Sequence, residues 1–92
     1  MYIYYSQFIL DRQAKTDQTL YNFLMEFTKR FNEVLQQSGK TQVEIAQALN
    51  VTKQCVNDYK TGKSVPSIET LYHLCRYLDA PSDYLLGLTE DY

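Results

Sequence analysis

Apolar residues return along this chain in steps of three and four. Leu20, Phe23, Leu24, Phe27, Phe31, Val34 and Leu35 line up on one face of a single helix at that spacing. Shorter groups follow: Ile45, Ala46 and Leu49; Val56 and Tyr59; Ile68, Leu71, Leu74, Cys75 and Leu78; and Tyr84, Leu85 and Leu86. No stretch alternates apolar and polar residues over a strand's length, so the pattern predicts no sheet. It predicts five helices, over 19–38, 42–49, 53–61, 67–79 and 81–86. Each has one apolar stripe and must bury it against the others, so the fold class is all-α.

The residues between the stripes agree. Gly39, Gly62 and Gly87 each follow a predicted helix, where a left-handed residue closes the last turn. Ser67, after Pro66, is a good N-cap for SIETLYHLCRYL, and Pro81 suits the first turn of the last helix. Thr41 with Glu44 three residues on forms a capping box that opens the second helix.

The tightest joint lies inside TQVEIAQALNVTKQCVNDYKT, where only Asn50-Val51 separates two helical patterns. Helices this short are marginal in water unless they pack. A steep crossing over so few residues needs one residue at positive φ, and after Gly the most tolerant type is Asn. Val51 is then placed to tuck under the turn and Thr52 to cap the third helix, while Ala46 is small where the next helix crosses. This arrangement turns Lys53, Gln54, Asn57, Asp58 and Thr61 outward. A short helix held out with a polar outer face is the layout of a helix-turn-helix recognition helix.

On these residues the chain resembles the Cro/C1-type helix-turn-helix family. The matching run begins at Met25-Glu26-Phe27. It continues through TQVEIAQALNVTKQCVNDYKTGKSVPSIETLYHLCRYLDAPSDYLLGLTEDY, so the likeness covers about three quarters of the chain. Asn50 and Asp79 stand where such proteins commonly carry Gly, and both types tolerate the same backbone. The resemblance implies a five-helix, lambda-repressor-like DNA-binding domain over 25–92, preceded by an N-terminal aromatic-rich extension over 1–24. It also implies that the third helix enters the major groove of double-stranded DNA. Lys53, Gln54, Asn57 and Asp58 would then face base edges: Lys can donate to guanine, Gln or Asn can pair with adenine, and Asp can accept from cytosine. Thr41, Gln42, Thr52, Lys60, Lys63 and Ser64 would lie along the phosphates.

Charge complicates that picture. The net charge of −2 and pI near 5.2 are not the basic footprint of a nucleic-acid binder. The distribution is uneven, however. Residues 28–67 hold six basic residues (Lys29, Arg30, Lys40, Lys53, Lys60, Lys63) against Glu33, Glu44 and Asp58, a local net of +3. The remainder carries −5, from three basic residues against eight acids. Asp58 is the one anion on the presumed reading face, where it either accepts from cytosine or weakens binding.

Other chemistry is sparse. His73, the single His, has no carboxylate or Cys cluster at ligand spacing, and Cys55 and Cys75 form no CxxC pair, so neither a metal site nor a catalytic centre is expected. Cys75 reads as a core residue and Cys55 as the more accessible thiol. Phosphate-cradling Gly loops, nucleophile elbows and HExxH motifs are absent, so no enzyme, cofactor or small-molecule ligand is expected. The start, MYIYYSQFIL, has neither a positive first region nor an apolar run of spanning length. With the two unpaired Cys, it leads us to expect a reducing cytoplasm. Tyr2, Ile3, Tyr4, Tyr5, Phe8, Ile9 and Leu10 put many apolar groups on the extension. They are expected to pack across the two-fold axis of a homodimer, the alternative being to cover their own subunit. Two functions follow: a DNA-binding repressor acting as a dimer, or a protein-interaction module such as an antitoxin or anti-repressor component.

Overall fold

In the computed structural model, the backbone is described for residues 2–92 and the side chains for residues 18–92. Five helices follow in order: α1 Tyr2–Ser38, α2 Gln42–Leu49, α3 Lys53–Thr61, α4 Ile68–Leu78 and α5 Ser82–Leu85. The described residues contain no strand. The later boundaries fall within a residue of those predicted, and Pro81 stands just before α5 as its N-cap residue.

The first boundary differs. The apolar stripe predicts a start at 19, whereas α1 is a continuous helix from Tyr2. No Gly or Pro interrupts residues 2–38, so no residue breaks the backbone ladder. The polar stretch DRQAKTDQT carries no stripe, which is why periodicity alone stops short of it.

Among the described residues, thirteen buried apolar side chains form one core: Phe27, Phe31, Val34 and Leu35 from α1, Ile45, Ala46 and Leu49 from α2, Val56 and Tyr59 from α3, Leu74 and Leu78 from α4, and Ala80 and Leu85 from the C-terminal turn and α5. Phe23, Phe27 and Phe31 run along α1 with ring centroids 6.1 and 5.9 Å apart, and the Tyr59 ring meets Phe31 edge-on at 6.0 Å. Such aromatic pairs add to the area they bury. Two residues expected in the core are exposed. Leu20 is 62% exposed because the other helices do not reach that far along α1. Ile68 is 88% exposed because it begins α4, one turn short of where that helix meets the core. Cys75, expected in the core, is half-buried and lines a shallow apolar groove between α4 and α5 with Leu71, Tyr72 and Leu86. Burial still holds its thiol above the ordinary range.

Among the described residues, Arg30 is the one charged residue in the interior, only 4% exposed. Its position on the stripe explains this, since it lies three residues after Phe27 and four before Val34. Nε donates to Glu26 Oε1 at 2.8 Å, and Nη1 donates to the carbonyls of Tyr84, at 2.8 Å, and of Thr89. Nη2 lies 3.3 Å from Glu90, and the guanidinium stacks 4.4 Å over the Tyr84 ring. A buried guanidinium is tolerable only with its donors satisfied and its charge paired. Here it fastens the C-terminal segment to α1. The Tyr84 hydroxyl adds a 2.5 Å bond to Glu33.

Candidate nucleic-acid interface

The helix-turn-helix is assembled from its caps outward. Thr41 accepts from the Glu44 N–H at 3.1 Å while Glu44 Oε1 accepts from the Thr41 N–H at 3.0 Å, the reciprocal capping box. Both the backbone bond and the Thr41 hydroxyl hold the Glu44 carboxyl below its usual range. Asn50 ends α2 with φ 55 and ψ 45, the left-handed conformation, and the following N–H of Val51 reaches back to the Ala46 carbonyl at 3.0 Å. Thr52 then caps α3 by accepting from the Cys55 N–H at 3.0 Å. Gly62 closes α3 at φ 82. A Cβ there would meet the Thr28 hydroxyl of α1 at 3.3 Å, so the turn and the close approach both favour Gly.

Side chains from neighbouring elements clamp both ends of α3. Gln42, half-buried, donates through Nε2 to the Lys53 carbonyl at 3.1 Å and accepts from Lys60 Nζ at 3.5 Å. Asn32 of α1 donates to the Lys60 carbonyl at 2.9 Å and to the Thr28 carbonyl at 2.8 Å. Inside, Val56 and Tyr59 anchor the helix, and the Cys55 thiol lies 3.1 Å from the Tyr59 hydroxyl. Outside, Lys53, Gln54 and Thr61 are exposed, and Asn57, Asp58 and Lys60 are partly so. Lys63 is exposed in the loop that follows, beside half-buried Ser64. Gln42 thus ties the start of α2 to both Lys53 and Lys60 of α3.

Two details differ from the pattern read in the sequence. Gln42 turns one Nε2 hydrogen and its Oε1 toward α3, and Glu44 occupies the Thr41 N–H. What the start of α2 keeps for an anion is the N–H groups of Gln42 and Val43, which have no acceptor within the helix. The local charge is also lower than the letters suggest, because Arg30 lies in the core against Glu26 and Glu90 and adds nothing to this surface. Its place on the Phe27–Val34 stripe is the signal that separates it from the lysines. Gln42 and Asn32 as clamps carry no such signal, since both bonds cross between helices. Among the described residues, no three His, Cys, Asp or Glu side chains are grouped to hold a metal ion, and no helix is long and apolar enough to cross a membrane.

A family model described as helix-turn-helix matches residues 32–85, more than half of the chain. The chain belongs to the Cro/C1-type helix-turn-helix family. Among similar proteins, the HTH-type transcriptional regulator ImmR of Bacillus subtilis (strain 168) is 35% identical over 66 residues, covering 72% of this chain and 52% of that protein. The uncharacterized HTH-type transcriptional regulator YobD of the same organism is 26% identical over 65 residues, covering 71% of this chain and 58% of its own length. The chain thus spans little more than half the length of these relatives. A solution structure of the SOS-response transcriptional repressor LexA from Eubacterium rectale superposes with a TM-score of 0.67 at 26% identity, covering 77% of this chain and 79% of that one. The matched region of the family model contains the capping box, the Asn50 turn, α3 and α4.

Proposed function

We propose that this protein is a sequence-specific DNA-binding transcriptional regulator that represses by occupying an operator as a homodimer. The observation that carries the reading is α3 itself: a nine-residue helix fixed by caps, core residues and clamps at both ends, whose remaining side chains are polar and outward. Set in a major groove, it would bring Lys53, Gln54 and Asn57 to base edges. Thr41, Thr52, Lys60, Lys63, Ser64 and the N–H groups at the start of α2 would lie along the phosphates. One short helix reads only a few base pairs, so operator affinity calls for two copies about 34 Å apart. Leu20, Tyr21 and Met25 are 62%, 59% and 53% exposed on α1, apolar surface beyond the core that a second copy would cover. The apolar residues from Tyr2 to Leu10, assigned to the same contact, lie outside the residues whose side chains the structure describes. So does most of the extension over 1–24, and α1 crosses its boundary without a break.

The alternative reading, a protein-interaction module of the antitoxin or anti-repressor kind, draws on the same exposed patch. Binding of the chain to a selected duplex and to random duplex across a salt series separates the two. Lys53→Ala and Gln54→Ala should each cost about 1–3 kcal/mol on the selected sequence and far less on random DNA. Lys63→Ala should weaken both alike and flatten the salt slope by about one. Equal losses on both duplexes for Gln54→Ala would remove it from the reading role. Light scattering on a Leu20→Glu/Met25→Glu chain should show a monomer; an unchanged dimer would acquit α1.

A further inference from the structure

The proposed reading leaves Asp58 unexplained, since it is a carboxylate on a face meant for a polyanion. Its Oδ1 accepts from Gln54 Nε2 at 3.0 Å, one helical turn away. A carboxylate can only accept, so this bond fixes which end of the Gln54 amide is which: nitrogen toward Asp58, Oε1 turned away. One Nε2 hydrogen is used and the other remains. Gln54 thus keeps one acceptor and one donor side by side, the pair that matches adenine N6–H and N7. Without the carboxylate, the amide is free to flip and can present the reversed order. Fixing the order in advance removes that alternative before binding, and preorganisation of this kind improves discrimination. Like charges across the contact also penalise wrong placements, so the charge of Asp58 can serve specificity while costing general affinity.

We propose that Asp58 is a positioning residue for specificity: it acts on DNA through Gln54, by holding the Gln54 amide in the orientation that selects adenine, and does not itself read a base. This rests on the DNA-binding reading above. The structure offers two independent handles on it.

The first needs no DNA. In the free protein, the Gln54 Nε2 proton donated to Asp58 should resonate downfield of the free-amide value, and should return to that value in Asp58→Ala. Unchanged resonances would overturn the proposal whatever the protein binds.

The second uses a randomised duplex library, selected with the full chain. In wild-type selections one position should be fixed as adenine, and Gln54→Ala should lose that preference about tenfold. Asp58→Ala should lose it at the same position, and the double variant should be no worse than Gln54→Ala alone, since both substitutions remove one contact. Affinity for random duplex should rise in Asp58→Ala, because an anion leaves the face. A cytosine preference lost at a different position, or additive losses in the double variant, would show that Asp58 reads a base directly and would overturn the proposal. A wild-type chain that enriches no sequence would overturn the DNA reading and this inference with it, a result distinct from either failure of Asp58.

Discussion

The molecule makes the same turn twice. Asn50 ends α2 and Asp79 ends α4, at φ 55 and φ 53, both without a glycine. After each, an apolar residue follows whose N–H returns to the helix, Val51 to Ala46 and Ala80 to Cys75, both at 3.0 Å. What comes next differs. Beyond Asn50, Thr52 caps a nine-residue helix that is clamped at both ends and keeps a polar face free. Beyond Asp79, Pro81 offers no side-chain cap, and α5 is four residues long with Leu85 as its one buried side chain. Identical turn geometry therefore does not decide whether a helix projects or plugs. Cap, length and clamps decide it: α3 is held from outside and presents a surface, whereas α5 is pulled inward by Arg30 and closes the core.

The comparison breaks first at Leu85, where the largest effect is expected. Its side chain is fully buried and α5 packs on α1 and α4 but not on α3. Leu85→Ala should cost about 2–5 kcal/mol in urea unfolding, the usual range for a buried Leu truncated to Ala. The fraction that stays folded should bind duplex DNA as before, since the plug and the presented helix do not touch. A parallel loss of affinity would mean that α5 supports α3 through α1 or α4, and the contrast between the two joints would weaken.

Much of this division was legible in the letters. Asn before Val-Thr marks the left-handed turn, Thr41 with Glu44 marks the start of α2, and the spacing of Phe27, Phe31 and Val34 marks the core. What escaped the reading has physical causes. Apolar letters state a preference for burial but not how far neighbouring helices extend, so Leu20 and Ile68 read as core residues although the fold leaves both exposed. Arg30 reads as surface charge by its type, whereas its position on the stripe puts it in the core. The Gln54–Asp58 bond was available in principle, since residues four apart on a helix are neighbours. The clamps from Gln42 and Asn32 were not, because they depend on how α1, α2 and α3 are set against each other.

A smaller effect sharpens the comparison at the turns. A side chain with Cβ in the left-handed region costs about 1–2 kcal/mol, less for Asn and Asp, which bond locally. Asn50→Ala and Asp79→Ala should therefore each lose about 1 kcal/mol of stability by the same denaturant measurement. Their effects on DNA should separate: Asn50→Ala lets the angle between α2 and α3 relax and should weaken binding, whereas Asp79→Ala should not. Equal weakening by both would show that affinity follows overall stability and not the set of α3.

The smallest effect lies at the capping box and depends on pH. The Glu44 carboxyl is held below the ordinary glutamate value by the Thr41 N–H and hydroxyl, so the folded state favours its charged form. A group with a depressed folded pKa adds stability that is fully present above its unfolded value, about 4.3 for Glu, and is lost as the pH falls through the folded value. Glu44→Gln keeps the shape of the box but cannot titrate. The urea midpoints of the two chains should differ most near neutral pH and draw together below about pH 4, the wild type losing its advantage as Glu44 protonates. Because Glu44 is exposed, the difference should be small and should shrink further in salt. α5 has no side-chain cap to lose, so a Pro81→Ala chain measured over the same range should follow the wild type's slope. A gap between wild type and Glu44→Gln that stays constant with pH would mean the box acts through geometry alone, and that charge contributes nothing to the start of the helix on which α3 is braced.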